Sequence, residues 1–422
     1  MRLMISFAAL LLSVVFLQLS SGGVGPLDAL SGLALDFTPA QVGFLGSAHF
    51  FGFFIGCWWA PRLMGSVGPS RAFAAFAAAG AIGLMSHMMI VDPTAWALMR
   101  VASGMCVAGC YTVIESWLNA KVTNESRGRA MGMYRVVDMG ASLVAQLLIA
   151  FLEPAHFISY NLLAIICCAS LLPLALTTSK PPEAPDSPRL RPMIAVRRSP
   201  LAAAGVIVAG LTSAAFRMVG PIYGQEVGLR ADQIGLFLAA FVAGGALAQY
   251  PVGWLADKYD RRWVLIWLSA AATLSCITTV VAGTGSTAII LASATFFGFT
   301  TFPIYSVSAA HAHDFAESHE RIELSAALMF LFALGAIASP VLTSALIEAY
   351  GPPALFAFIA LGHVVLVVFG LTRMRARPTV PERTRYVYAP RTSFTIGRLM
   401  GRERDKPTRG SAEAEPKPRE DD

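Results

Sequence analysis

The sequence predicts an all-α integral membrane protein of twelve transmembrane helices in two pseudo-symmetric six-helix halves. Three observations predict it. First, only 14% of the 422 residues are charged while 55% are hydrophobic, and the mean hydropathy is +0.60. A soluble domain carries about 25% charged residues, so this composition excludes a nucleic-acid-binding protein, a disordered chain and almost every cytosolic enzyme. Second, twelve apolar stretches reach the roughly 20 residues that a helix needs to cross a bilayer core. Third, short motifs recur at a nearly constant offset of 192 to 195 residues.

The stretches run over 3–24, 42–62, 71–91, 95–118, 129–152, 157–177, 200–222, 233–255, 262–283, 286–310, 323–346 and 353–373. The first follows Met1-Arg2 and ends in Ser20-Ser21-Gly22-Gly23, a layout shared with signal peptides. Its apolar run is longer than a signal core, and its loss would leave eleven spans, so it is expected as a retained helix. The recurring motifs pair Gly25-Pro26 with Gly220-Pro221, and Gln41-Val42-Gly43-Phe44 with Gln233-Ile234-Gly235-Leu236. They also pair Gly104 with Gly298 and Arg127 with Arg321, each at the same point of a six-span cycle.

The expected organisation is an N-terminal half over 1–178, a linker over 179–199, a C-terminal half over 200–374 and a tail over 375–422. Prolines and arginines such as Pro181, Pro182, Arg191, Arg197 and Arg198 give the linker an extended reading. The tail is rich in Arg, Pro and Glu and reads as a disordered basic cytoplasmic segment. Its stretch 383–398 mixes Arg383, Arg385, Arg391 and Arg398 with Tyr386, Tyr388 and Phe394, which suits anionic lipid headgroups.

Charge sets the orientation. With the N-terminus in the cytoplasm, 28 of the 32 Lys and Arg fall in cytoplasmic segments, three within spans and one, Arg230, outside. Both termini are therefore expected in the cytoplasm of an inner-membrane protein. The connection 311–322 departs from this trend, with Asp314, Glu317 and Glu320 against Arg321. The six cysteines all fall in predicted spans and read as small apolar side chains. His311 and His313 are too weak a pattern for a metal site, and no glycine loop for ATP, nucleophile elbow or His-Glu-x-x-His is present. No metal, cofactor or enzyme chemistry is expected.

The clearest motif is Gly253-Trp254-Leu255-Ala256-Asp257-Lys258-Tyr259-Asp260-Arg261-Arg262, between spans 8 and 9. Small residues at Gly253 and Ala256 permit close helix approach. Asp257 is an acceptor at a helix end, able to cap a neighbouring helix. Lys258, Arg261 and Arg262 supply cations for nearby acids. Such a cluster reads as a latch that closes the cytoplasmic face and opens when the halves rock.

This loop resembles the signature loop of the major facilitator superfamily, and the resemblance covers about residues 3–374. The superfamily places the same loop between spans 2 and 3. There this chain reads Pro61-Arg62-Leu63-Met64-Gly65-Ser66-Val67-Gly68-Pro69-Ser70-Arg71, with Gly65 at the acidic position, so the first-half latch is degenerate. Arg100-Val101-Ala102-Ser103-Gly104 resembles the R-x-x-x-G segment of span 4, linked there to proton coupling or to structure. Glu115-Ser116-Trp117-Leu118-Asn119, Arg127-Gly128-Arg129 and Phe302-Pro303-Ile304-Tyr305-Ser306 resemble the poorly characterised YcaD-like branch. Span 5 lacks the Gly-Pro segment typical of drug–proton antiporters, which weakens a multidrug-efflux reading. The resemblance implies that spans 1, 4, 7 and 10 line a central cavity.

Ionisable groups inside spans cost about 2.5–3.5 kcal/mol on insertion scales and are functional candidates by default. Here they are Arg100, Glu115, Arg135, Asp138 and Arg217. Arg135 and Asp138 share a helix face and are expected to pair, as a gate or as a structural ion pair. Glu115 is expected either to carry a proton or to pair with cytoplasmic arginines such as Arg62 or Arg127. Arg217 reads as an anchor for an anionic group or as a snorkelling side chain. Gln18, Tyr111 and Tyr305 complete the cavity candidates.

The sequence therefore reads as a secondary active transporter of a small organic solute, with an anionic group on that solute and protons as coupling ion. It is expected to act as a monomer in the lipid bilayer. Multidrug efflux is one alternative; a non-transporting scaffold or sensor built on the same fold is another, motivated by the degenerate latch and the long tail.

Overall fold

The computed structural model of the chain describes residues 2–123, 126–177, 190–282, 286–376, 384, 386–389 and 391–394. The N-terminal half holds α1 (Arg2–Ala34), α2 (Pro39–Val67), α3 (Pro69–Ser86), α4 (Pro93–Lys121), α5 (Arg127–Leu148), α6 (Phe157–Ala169) and α7 (Leu171–Ala175). After the short α8 (Pro192–Arg198) come α9 (Pro200–Glu226), α10 (Ala231–Lys258), α11 (Arg261–Ala282), α12 (Thr287–Thr301), α13 (Ile304–His313), α14 (Arg321–Tyr350) and α15 (Ala354–Ala376). The pairs α6/α7 and α12/α13 are each one crossing, interrupted at Ser170 and at Phe302-Pro303. Pro303 has no N–H to give the helix ladder, so the turn breaks there.

Among the described residues, eleven segments are long and apolar enough to cross a membrane. The twelfth, α3, is an 18-residue helix rich in Ala and Gly, and its crossing follows from its neighbours. Phe37, ahead of α2, meets Trp96 at the start of α4 with ring centroids 5.1 Å apart. Farther along, Gly56 abuts Met105 and Ala108. Helices α2 and α4 run parallel, so α3 must carry the chain back across. The start of α1 and the end of α15 then lie at one face of the bundle, the terminus-bearing face.

The repeated motifs occupy equivalent places. The Gln41 side chain accepts the Thr38 N–H at 2.8 Å at the start of α2, and Gln233 accepts the Arg230 N–H at 3.0 Å at the start of α10. A Cβ on Gly104 would fall 2.0 Å from the His49 carbonyl, and one on Gly298 would fall 1.9 Å from that of Phe241. The two glycines thus permit the same backbone contact, α4 on α2 and α12 on α10. Pro26 and Pro221 lie inside α1 and α9.

The linker differs from its extended reading. Residues 178–189 lie outside the described residues, but 192–198 form α8, which packs on α14 with Ala195 buried. Arg198 pairs with Glu320 at 2.6 Å and with Glu317 at 3.1 Å, and Arg191 approaches Glu323 at 3.5 Å. The acidic stretch that departed from the charge trend is thus the partner of the linker arginines. These hydrogen bonds hold the Glu320 carboxyl below its ordinary range.

Direct contacts between the halves gather at the face opposite the termini. The Ala40 N–H donates to Glu348 at 3.2 Å, and the Val341 N–H donates to the Ser47 hydroxyl at 3.2 Å. A Cβ on Gly43 would overlap Ser344, and one on Gly235 would lie 2.8 Å from the Gln146 carbonyl. At the terminus-bearing face a piece of the tail lies between the halves instead.

Candidate functional site

A cavity of about 160 Å³ lies near mid-depth, lined by α1, α2, α4, α5, α9, α10 and α14, by Phe302 and by the tail. Four expected pathway residues line it: Gln18, Tyr111, Asp138 and Arg217. The Tyr111 hydroxyl is 2.7 Å from Gln18 Oε1 and 2.9 Å from Asp138 Oδ1, joining α1, α4 and α5. Arg217 projects from α9 with its Cζ 5.9 Å from the Phe302 ring centroid. Its Nε is enclosed and has no hydrogen-bond partner among the described residues. Arg217 therefore faces the cavity rather than snorkelling to a headgroup layer.

Glu115 sits behind the cavity, fully buried on α4. It accepts the Tyr134 hydroxyl at 2.9 Å and the hydroxyls of Thr392 and Ser393 from the tail. The arginine partners expected for it are placed otherwise or lie outside the described set. The Arg62 guanidinium covers the Trp58 ring at 3.9 Å, and the Arg127 side chain is not among the described ones. Arg135, expected against Asp138, lies over the Tyr388 ring at 5.5 Å. Tyr305 packs edge-on to Phe332 at 5.4 Å beside the cavity.

Arg100 lies apart, toward the face opposite the termini. Its Nε is 3.3 Å from Asp28 Oδ2, with both side chains buried. Asp28 also accepts the Tyr160 hydroxyl at 3.0 Å and lies 3.6 Å from His87 Nε2, and His87 stacks on Tyr160. Sequence reading missed Asp28 and His87. It ended span 1 at residue 24, at the Ser-Ser-Gly-Gly stretch, whereas α1 continues to Ala34 and encloses Asp28. The signal was present in Leu27, Ala29 and Leu30, which keep the chain apolar around that one acid.

The latch motif lies where α10 meets α11. Arg261 is buried and reaches Asp314 at 2.7 Å and Asp257 at 3.3 Å, and it also donates to the Ala310 carbonyl at 3.1 Å and to Thr384. Asp257 accepts the Tyr386 N–H at 2.6 Å, so it meets the tail rather than capping a helix. A Cβ on Gly253 would lie 2.9 Å from the Tyr386 ring. Lys258 lies over Trp254 at 4.7 Å. Arg262 holds Asp260 at 2.8 Å. Burial disfavours the Asp260 charge, but hydrogen bonds from Arg262 prevail and keep the carboxyl below its ordinary range. At Asp314 burial prevails over Arg261 and pushes the carboxyl up.

In the first half the corresponding turn is a single residue. Gly68 joins α2 to α3 at φ +88°, a conformation that glycine adopts without penalty. With Gly65 in the acidic place, no counterpart of Asp257 stands there.

Comparison with known proteins fits this architecture. The sequence model of the Major Facilitator Superfamily matches residues 10–218 and again 202–404, once for each half. An uncharacterised MFS-type transporter of Enterobacter sp. strain 638 is 27% identical over 342 residues, 80% of this chain and 88% of that protein. The uncharacterised MFS-type transporter YcaD of Salmonella arizonae is 28% identical over 324 residues, 76% of this chain and 83% of its own length. Among solved structures, the nucleoside transporter NupG matches with a TM-score of 0.71 at 15% identity, covering 87% of this chain and 99% of that one. A bacterial homolog of the human lysosomal transporter Spinster, inward-facing and occupied, matches with a TM-score of 0.67 at 15% identity, covering 96% and 99%. A multi-pass inner-membrane protein with two matched six-helix halves, kin to YcaD and a transporter rather than an enzyme, the chain belongs to the major facilitator superfamily.

Proposed function

We propose that the protein is a secondary active transporter that moves a small organic solute through the central cavity by alternating access, with protons as the coupling ion. The observation that carries this reading is the cavity itself: both halves line it, and Gln18, Tyr111 and Asp138 face Arg217 across it. The direct contacts between halves at the face opposite the termini support an inward-facing state, and rocking at those contacts would open the other side. The charge bias supports placing both termini in the cytoplasm. One chain encloses the whole cavity, which supports a monomer as the working unit.

Asp138 is the proposed proton site. The Tyr111 phenol carries one hydrogen and has two acceptors within 2.9 Å, Gln18 and Asp138. A proton on Asp138 lets it donate to the phenol oxygen while the phenol serves Gln18. Arg217, with its unpartnered Nε, is the proposed anchor for an anionic group on the solute. The Asp28–Arg100 pair has the burial of a structural clasp between α1 and α4 and is assigned that role here.

The test is uptake by proteoliposomes of solutes found to change in metabolite profiles of a deletion strain. A pH gradient is expected to drive accumulation, and Asp138→Asn to leave exchange while losing pH-driven accumulation. Transport indifferent to both pH and membrane potential would overturn proton coupling. Multidrug efflux is the second reading, favoured by the Phe- and Met-rich lining, such as Phe50, Phe53, Met139 and Met218. Unchanged drug susceptibility on both deletion and overexpression would remove it.

A further inference from the structure

Nine described residues of the tail are not placed as a solvated or lipid-facing segment; the remainder beyond Ala376, for which a disordered basic segment was expected, lies outside the described residues. Residues 384, 386–389 and 391–394 enter from the terminus-bearing face and run from the C-terminal half to the N-terminal half. On the C-terminal side, Thr384 is bound by Arg261 and Asp314, the Tyr386 N–H donates to Asp257, and the Ala389 N–H donates to the Ser306 hydroxyl at 3.0 Å. On the N-terminal side, the Thr392 and Ser393 hydroxyls both donate to Glu115, and the Phe394 ring lies 6.2 Å from that of Phe54. Thr392, Ser393 and Phe394 are all buried.

Between these anchors, Arg391 enters a cage of three rings. Its Cζ is 5.1 Å from the centroid of Phe302, 5.2 Å from that of Phe332 and 5.9 Å from that of Tyr305. Aromatic faces at such distances attract cations, and the attraction grows when water is excluded. Of the three hydroxyls at Glu115, two come from the tail. With these residues withdrawn, a buried carboxylate would keep only Tyr134 among the described residues, and burying a charge short of donors is costly. Both places therefore call for replacement by groups of the same chemistry.

We propose that Thr384, residues 386–389 and residues 391–394 are a tethered plug that occupies the solute site from the terminus-bearing face, and that the solute displacing it brings an organic cation to the Phe302–Tyr305–Phe332 cage and a hydrogen-bond donor to Glu115. The plug stands on the placement of the tail alone; the cation site deepens the transport reading and rests on it. A segment bonded to both halves within the open face also blocks their approach there. The halves rock only after it leaves. An anionic group at Arg217 and a cation in the cage, both beside the Phe302 ring, describe a zwitterionic solute.

The test uses the full-length chain in nanodiscs with the exposed Cys168 replaced by Ser. Phe394→Cys is expected to form an oxidant-induced disulfide with Cys57, which is buried beside it in the cavity wall. The variant Arg391→Ala/Thr392→Val/Ser393→Ala is expected to expose Cys57, with maleimide labelling at least about ten-fold faster than in the intact tail. Absence of the disulfide, or an unchanged labelling rate in a variant that elutes as folded protein, overturns the plug. Argininamide is the probe for the cation site. It is expected to slow labelling of the plug-released variant, and Phe302→Ala/Phe332→Ala to cancel that protection. Labelling indifferent to argininamide overturns the cation site. A plug-released variant that shows all these changes yet moves no solute would sink the transport reading and leave the plug standing.

Discussion

Asp28 and Arg100 carry the clearest prediction at the scale of single residues. Both side chains are buried, so removing one leaves the other charged without its partner. Asp28→Asn is expected to cost on the order of 3–5 kcal/mol, read as a lower unfolding midpoint in detergent. Replacing both, as Asp28→Asn/Arg100→Gln, is expected to recover part of that loss. Arg217→Ala is expected to leave stability nearly intact, because its Nε has no partner to lose among the described residues, while solute affinity falls at least about ten-fold. Wild-type affinity would remove Arg217 from the site. A pH effect follows at Asp260, whose carboxyl is held below its ordinary range by Arg262. A depressed acid stabilises above its unfolded value, about 3.9, and that contribution fades as pH falls through the lower folded value. Asp260→Asn is expected to lack this acid-side loss in a series of unfolding midpoints from about pH 6 to pH 3.

Among the elements, the parallel pairs α2/α4 and α10/α12 depend on glycine at their crossings. A Cβ at Gly52 or Gly244 would lie 1.9 Å from the carbonyl of Val101 or Thr295, a contact that no side-chain shift relieves. Gly244→Val is expected to abolish a monodisperse folded peak in size-exclusion chromatography. Gly132→Ala is expected to preserve it, since among the described residues nothing outside its own helix backbone lies within 4 Å of a Cβ added there. The turn at Gly68 makes a smaller demand: at φ +88° and ψ 155° it occupies a region essentially reserved for glycine, and Gly68→Ala is expected to cost about 1–3 kcal/mol. Helix positions were legible because apolar runs of span length have few alternatives. Their ends were less so. Helix α1 runs ten residues past the expected end at 24, because a lone Asp28 is buried by partners on other helices. Likewise α8 forms where prolines suggested an extended linker, because Arg191 and Arg198 find acids near the start of α14.

Across the whole molecule, the closed face and the plugged face define one conformational state. Ala40→Cys/Glu348→Cys is expected to cross-link readily, since the Ala40 N–H and Glu348 already touch. Solute uptake is expected to stop on oxidation and return on reduction; uptake unaffected by a complete cross-link would contradict rocking about that face. Asp257→Asn is expected to insert and fold normally but to alter the transport rate, because Asp257 holds both Arg261 and the Tyr386 N–H. The latch motif was readable as a motif, whereas its partner was not. Local spacing places Arg261 near Asp257, but only the folded chain brings residue 384 to the same guanidinium.

The sequence by itself determined the solvent, the crossings and the twofold plan. These rest on hydropathy, charge bias and repeated local motifs, each carried by residues close in the chain. The tertiary structure decided which charges meet. It gave Arg100 to Asp28, Glu115 to hydroxyls and the tail to the cavity. In a low-dielectric interior each buried charge must find a partner. Such partners can come from anywhere along the chain: Glu115 and Ser393 are separated by 278 residues.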